Sequence, residues 1–192
     1  MAVFNNSDGS QSTVDMMSGK QAVEYYSADD YEAFSLAYKD TNIRYMVILP
    51  REGVSGSDVI NNFTSHELAG ITKLAKSGYS TISMPKVNLK SDILVSNAYA
   101  GLGITDLIKT GRFPAISESM SADGLAITQR SVFNVTEKEA IAASVSQLGY
   151  YTAGAPDESI PSEIVVNRPY IFMVYDDNAT DAIIIFGRVY SL

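Results

Sequence analysis

Val166-Asn167-Arg168-Pro169-Tyr170-Ile171-Phe172-Met173-Val174-Tyr175-Asp176 opens on a polar-basic-proline step, runs through unbroken apolar residues and closes on an acid. Within it Tyr170–Tyr175, an apolar run rich in aromatic and β-branched residues, predicts a strand. Ala182–Tyr190 follows across the turn Asp176-Asp177-Asn178-Ala179-Thr180 and predicts its antiparallel neighbour.

Upstream of this pair the chain changes character. From Ala140 to Ser159 it is mostly Ala, Ser, Gly, Thr and Tyr, and no charge falls between Ala140 and Pro156. Long connections without regular structure are uncommon in compact domains and usually functional. Ala140, Ala142, Ser144 and Ser146 share one parity, while Ile141, Ala143, Val145 and Gln147 share the other. Extended backbone puts these sets on opposite faces, so one face is uniformly small. The stretch reads either as a flexible surface loop or as a strand in waiting whose small face slides between existing strands. The lack of charge favours the second.

Further upstream, Ala126–Thr136 predicts a strand. The N-terminal fifty residues predict short strands at Val14–Met17, Ala22–Tyr26, Ala33–Tyr38 and Ile43–Leu49, an antiparallel meander that ends at Pro50. Ser57 or Asp58 is placed to cap a helix through Val59, Ile60 and Phe63. Thr64 or Ser65, with Glu67 behind it, is placed to cap another through Leu68, Ile71 and Leu74, with Gly78 as its stop. Tyr79–Leu89 alternates as a long strand, and Ile93–Ile108 has helical spacing with Gly101 and Gly103 near its end. No linker divides the 192 residues, which are expected to form one unit.

Composition narrows the function. Twenty-two acidic against fourteen basic residues give a net charge of -8, which argues against a nucleic-acid partner. There is no cysteine, and the single His66 lies in a polar stretch and reads as a surface residue, so no metal site and no cofactor are expected. No apolar stretch approaches the ~18 residues of a membrane span. Gly-x-Ser-x-Gly, a P-loop and a Cys/His pairing are all missing, so no enzymatic activity and no catalytic residue is expected. Asp29, Asp30, Asp176 and Asp177 read as turn residues.

Several motifs together resemble one family. Val166–Asp176 resembles the serpin C-terminal signature, and Phe186-Gly187-Arg188-Val189 the family's closing strand. Leu102-Gly103-Ile104-Thr105-Asp106-Leu107 resembles its Leu-Gly-Ile-x-Asp-Leu/Phe helix end, and Phe113-Pro114-Ala115-Ile116-Ser117 the turn downstream. Met84-Pro85-Lys86 and Val14-Asp15-Met16-Met17 are similar to two further serpin strands. Six matches in the family's order identify the chain as resembling the C-terminal half of a serpin. The resemblance implies an α+β fold: antiparallel sheets, a few helices and a reactive loop at about 137–160. The helical N-terminal half has no counterpart in this sequence and is expected as a partner, packing where apolar surface stays exposed.

The resemblance also implies a mechanism. In serpins a serine protease attacks the exposed loop and forms an acyl-enzyme; the loop then inserts into the main sheet and traps the protease before deacylation. Glu137 and Lys138 match the paired polar residues that open the hinge. Glu139 stands where the family usually has glycine, Ala140 where it has a small Thr or Ser, and Ile141 where it has Glu; Ala142, Ala143 and Ser144 match the small-residue run. This register points Ala140, Ala142, Ser144 and Ser146 inward, with Glu139 and Ile141 outward. Three counts of the cleaved bond are ranked in order. They are Ala153–Gly154, for an elastase- or subtilisin-like protease; Tyr151–Thr152, for a chymotrypsin-like one; and Glu158–Ser159, counted back from Ile160-Pro161. Gln129 falls where serpins typically keep a histidine beneath the point of insertion. The resemblance places the protein outside the cell or in its envelope. A non-inhibitory serpin-like protein, cut as a plain substrate or serving as a binding module, is the alternative that the Glu139/Ile141 hinge leaves open.

Overall fold

The computed structural model describes residues 1–105, 126–136, 159–178 and 182–192. In chain order these form β1 (Ala2–Asn5), β2 (Gln11–Val14), β3 (Met16–Ser27), β4 (Tyr31–Ala37), β5 (Ile43–Pro50), α1 (Gly56–Asn62), α2 (Ser65–Leu74), β6 (Lys76–Pro85), β7 (Val87–Leu94), α3 (Ser96–Gly101), β8 (Thr128–Val135), β9 (Glu163–Val165), β10 (Tyr170–Asp176) and β11 (Ala182–Val189). The chain divides into two compact units, Met1–Val87 with Val135–Leu192, and Asn88–Asn134.

The larger unit is built on a seven-stranded sheet ordered β11-β10-β5-β4-β3-β6-β9, beside the β1–β2 hairpin. Every pair in the large sheet is antiparallel except β6 with β9. The expected pairing of the two last strands holds, from Tyr170–Val189 to Asp176–Ala182, with a bulge between Val174 and Tyr175. β10 is buried on both parities. Ile171, Met173 and Tyr175 join Met46, Ile48 and the helix residues Val59, Leu68 and Ile71 in one cluster. On the opposite parity, Phe172 packs beside Tyr45 with ring centroids 5.9 Å apart. Each such fully buried side chain contributes roughly 2 kcal/mol.

In the smaller unit β7 and β8 form a two-stranded ladder, and α3 ends in a full glycine cap. Gly103 has φ +89°; its N–H donates to Ala100 O at 3.1 Å and that of Ile104 to Tyr99 O at 3.0 Å. The Leu-Gly-Ile segment is therefore a helix stop that needs glycine.

The structure corrects several local expectations. Met16–Met17 and Ala22–Tyr26 belong to one twelve-residue strand, β3. Tyr79–Leu89 is two strands in different sheets, parted at Lys86, whose N–H donates to Asp15 O. α1 begins at Gly56, ahead of Ser57 and Asp58, because the Ser55 carbonyl already accepts the N–H groups of Asp58 and Val59. Ile93 and Leu94 close β7 rather than opening a helix; two adjacent apolar residues fit either period. Gly78 does not stop α2, which ends at Leu74 with Ala75 already extended; the glycine lies inside β6. The expected cap of α2 is present in full, with Thr64 Oγ1 accepting the Glu67 N–H at 3.3 Å and the Glu67 carboxylate accepting the Thr64 N–H at 2.6 Å.

Candidate functional site

Residues 137–158 lie outside the described residues, and with them the hinge Glu137–Ser144 and the candidate bonds Ala153–Gly154 and Tyr151–Thr152. Asp106, Leu107 and Phe113–Ser117 lie outside them as well. What the structure gives is the two ends of that segment. The strand before it belongs to the smaller unit and the strand after it to the larger one.

The strand before it is β8. Among the described residues it pairs with β7 alone, and Thr128 through Val132 are all exposed. Gln129 lies on this strand, exposed, and donates to Ser131 Oγ at 3.4 Å. Arg130 and Asp92 tie β8 to β7 across the surface at 2.9 Å. An ion pair that open to solvent contributes ~0.5 kcal/mol.

The strand after it is β9, on the outer edge of the large sheet. Ser159, the one candidate bond residue that is described, is exposed, and its hydroxyl accepts a hydrogen bond from Lys76 Nζ at 2.9 Å. Ile160 is buried beside Gly78. The Thr81 N–H donates to Ser162 O at 2.9 Å, and the Val166 N–H to Ser83 O at 2.8 Å.

The signature segment locks the next step of the chain. Asn167 O accepts the Asn5 N–H at 2.8 Å. Arg168 donates from Nε to Pro50 O at 2.8 Å and pairs with Glu32 at 3.5 Å. Glu32 also accepts from the Tyr25 hydroxyl at 3.0 Å. The basic residue of the motif thus stitches the start of β10 to the ends of β4 and β5, a structural role. Near the same end of β10, Gly187 lies opposite Phe172, and a Cβ on that glycine would strike the Phe172 ring. Only glycine leaves room for the ring.

Asp177 lies in the turn as expected and pairs with Arg44 at 2.8 Å, whereas Asp176 is the last residue of β10, where its Oδ1 accepts the Asn178 N–H. Arg44 also reaches Glu24 at 2.7 Å. Burial works against charge on this guanidinium, but the Asp177 hydrogen bond and the Glu24 and Asp177 charges outweigh it and raise its pKa. Asp29 and Asp30 lie in an exposed bend. His66 is exposed, and among the described residues no helix is long and apolar enough to cross a membrane.

A family model described as serpin (serine protease inhibitor) matches residues 1–192. The chain belongs to the serpin family. It is 26% identical to an uncharacterized serpin-like protein of Thermococcus kodakarensis, over 92% of this chain and 41% of that one. It is 22% identical to human serpin I2, over 97% of this chain and 46% of that one. Among solved structures, the native state of the thermophilic serpin tengpin superposes with a TM-score of 0.75 at 24% identity, covering all of this chain and 49% of tengpin. The fold is thus a serpin fold in part, and the chain spans about half the length of the relatives it matches.

Proposed function

We propose that this chain supplies the bait and trap half of an inhibitor of a serine protease. The protease's serine attacks a peptide bond of the loop at about 137–160; that bond breaks, the downstream segment leaves as the new amine, and the upstream segment, now esterified to the protease, joins the sheet beside β8 as an added strand. The observation that carries the reading is the position of β8. It has one partner strand among the described residues, it is exposed along most of its length, and it runs directly into the alternating small-residue segment. A free strand edge takes another strand readily, because its N–H and C=O groups are unpaired. The serpin contributes no catalytic group; the nucleophile is the protease's.

Supporting the inward register, Ala140, Ala142, Ser144 and Ser146 are all small enough to enter between strands. Ala153–Gly154 ranks first as the cleaved bond, ahead of Tyr151–Thr152, and Glu158–Ser159 ranks last because Ser159 is tethered to Lys76. The partners are an elastase-, subtilisin- or chymotrypsin-like protease outside the cell or in its envelope, and the N-terminal half of the serpin fold. Ile183–Phe186 on the edge strand β11, between 38 and 55% exposed, offers apolar surface for that half.

The second reading, a serpin-like protein cut as a plain substrate or serving as a binding module, is favoured by Glu139 and Ile141, since bulk and charge at the hinge slow insertion. Titration with elastase, subtilisin and chymotrypsin in the presence of the remaining half separates the two. A protease adduct that survives denaturant supports inhibition; cleavage with no adduct supports the substrate reading.

A further inference from the structure

β9 pairs with β6 at three positions only: Thr81 with Glu163, Ile82 with Ile164 and Ser83 with Val165. A parallel ladder so short contributes little alone. Just ahead of it, three alternate residues of β6 meet three consecutive residues of the incoming chain. Lys76 Nζ donates to Ser159 Oγ at 2.9 Å. Ile160 lies so close over Gly78 that a Cβ there would fall 2.6 Å from its Cδ1. The Ser80 hydroxyl, itself 1% exposed, donates to Pro161 O at 2.7 Å. Residues 76, 78 and 80 share one face of an extended strand, so the three contacts form a single row.

We propose that this row is an anchor, with Ile160 as its positioning residue and Gly78 as its seat, and that it sets the downstream limit of what a protease can cut. A protease takes a peptide bond whose neighbours on both sides lie extended in its cleft. Ser159, Ile160 and Pro161 cannot enter a cleft without emptying the Gly78 notch and leaving the buried Ser80 hydroxyl unpaired, which is costly. The anchor therefore closes Glu158–Ser159, together with Glu163–Ile164 inside β9, and leaves cleavage to bonds farther upstream. Its bearing on inhibitor specificity rests on the bait reading above; the anchor itself does not.

A glutamyl-specific endoprotease tests it on the whole 192-residue chain, with the fragments read by mass spectrometry. Cleavage after Glu158 and Glu163 should be much slower in the folded chain than in urea. Ile160→Ala and Ser80→Ala should each speed it by roughly tenfold. Gly78→Ala should do the same, and Gly78→Ala with Ile160→Val, which removes the methyl the new Cβ would strike, should return it toward the parent rate. Cleavage after Glu67, in α2, reports global opening, so the ratio of Glu163 to Glu67 cleavage must rise in the single variants. An unchanged ratio, or parent cleavage after Glu163 as fast as in urea, overturns the anchor. No target protease enters the assay, so the anchor and the inhibitory mechanism can fail separately.

Discussion

At Gly187, the closing-strand motif is explained by a single close approach. The buried Phe172 ring occupies the space a side chain would need. Gly187→Ala should therefore destabilise the protein by about 1–3 kcal/mol through overpacking, and Phe172→Leu in the same chain should recover part of the loss. Urea midpoints for the single and double variants check this; an unchanged midpoint for Gly187→Ala contradicts it. Arg168→Ala removes the donor to Pro50 O and leaves the half-buried Glu32 with less compensation. A loss of roughly 1–3 kcal/mol follows from stranding those groups, and Arg168→Lys should recover little, since one ammonium cannot span both partners. Of these residue-scale facts, the sequence showed the motif letters but not their purpose. Cross-strand neighbours fifteen residues apart, such as Phe172 and Gly187, are joined by register, which local spacing does not reveal.

Elements were legible where one strong signal decided them. The apolar run of β10 and the Thr64/Glu67 box of α2 are local patterns, and both appear in the structure. Thr64→Ala should cost about 1 kcal/mol, measured as a lower thermal midpoint; a chain of equal stability would show that the box adds nothing. Gly78 shows why the remainder was hidden. From sequence it looks like a helix stop, but its space is filled by Ile160, more than eighty residues away. The split at Lys86 was equally invisible, because alternation continues across it while the two strands enter different sheets. The site was legible only as family motifs; nothing local in Lys76 or Ser80 marks them as partners of Ser159 and Pro161.

Over the whole molecule, the buried tyrosines set an alkaline limit. Burial pushes Tyr175 and Tyr31 each up to about 12 and also raises Tyr45 and Tyr170. A folded-state pKa above the unfolded value of about 10 means that the folded chain holds the proton longer. The stability these groups contribute is complete below pH ~10 and is lost as pH rises toward and past 12. Urea midpoints should fall steeply above pH 10, with phenolate absorbance appearing as the chain unfolds. Ionisation of all twelve tyrosines at ordinary pH in the folded chain would contradict the burial.

Larger than any of these is the claim that the segment after Thr136 becomes a strand once it is cut. Supplied with the remaining half of a serpin fold, the protein should be nicked by elastase at Ala153–Gly154 and its thermal midpoint compared before and after. Insertion beside β8 predicts a large rise on nicking. A midpoint that stays where it was, or falls, would mean that the cut segment stays outside the sheet and that the trap does not exist.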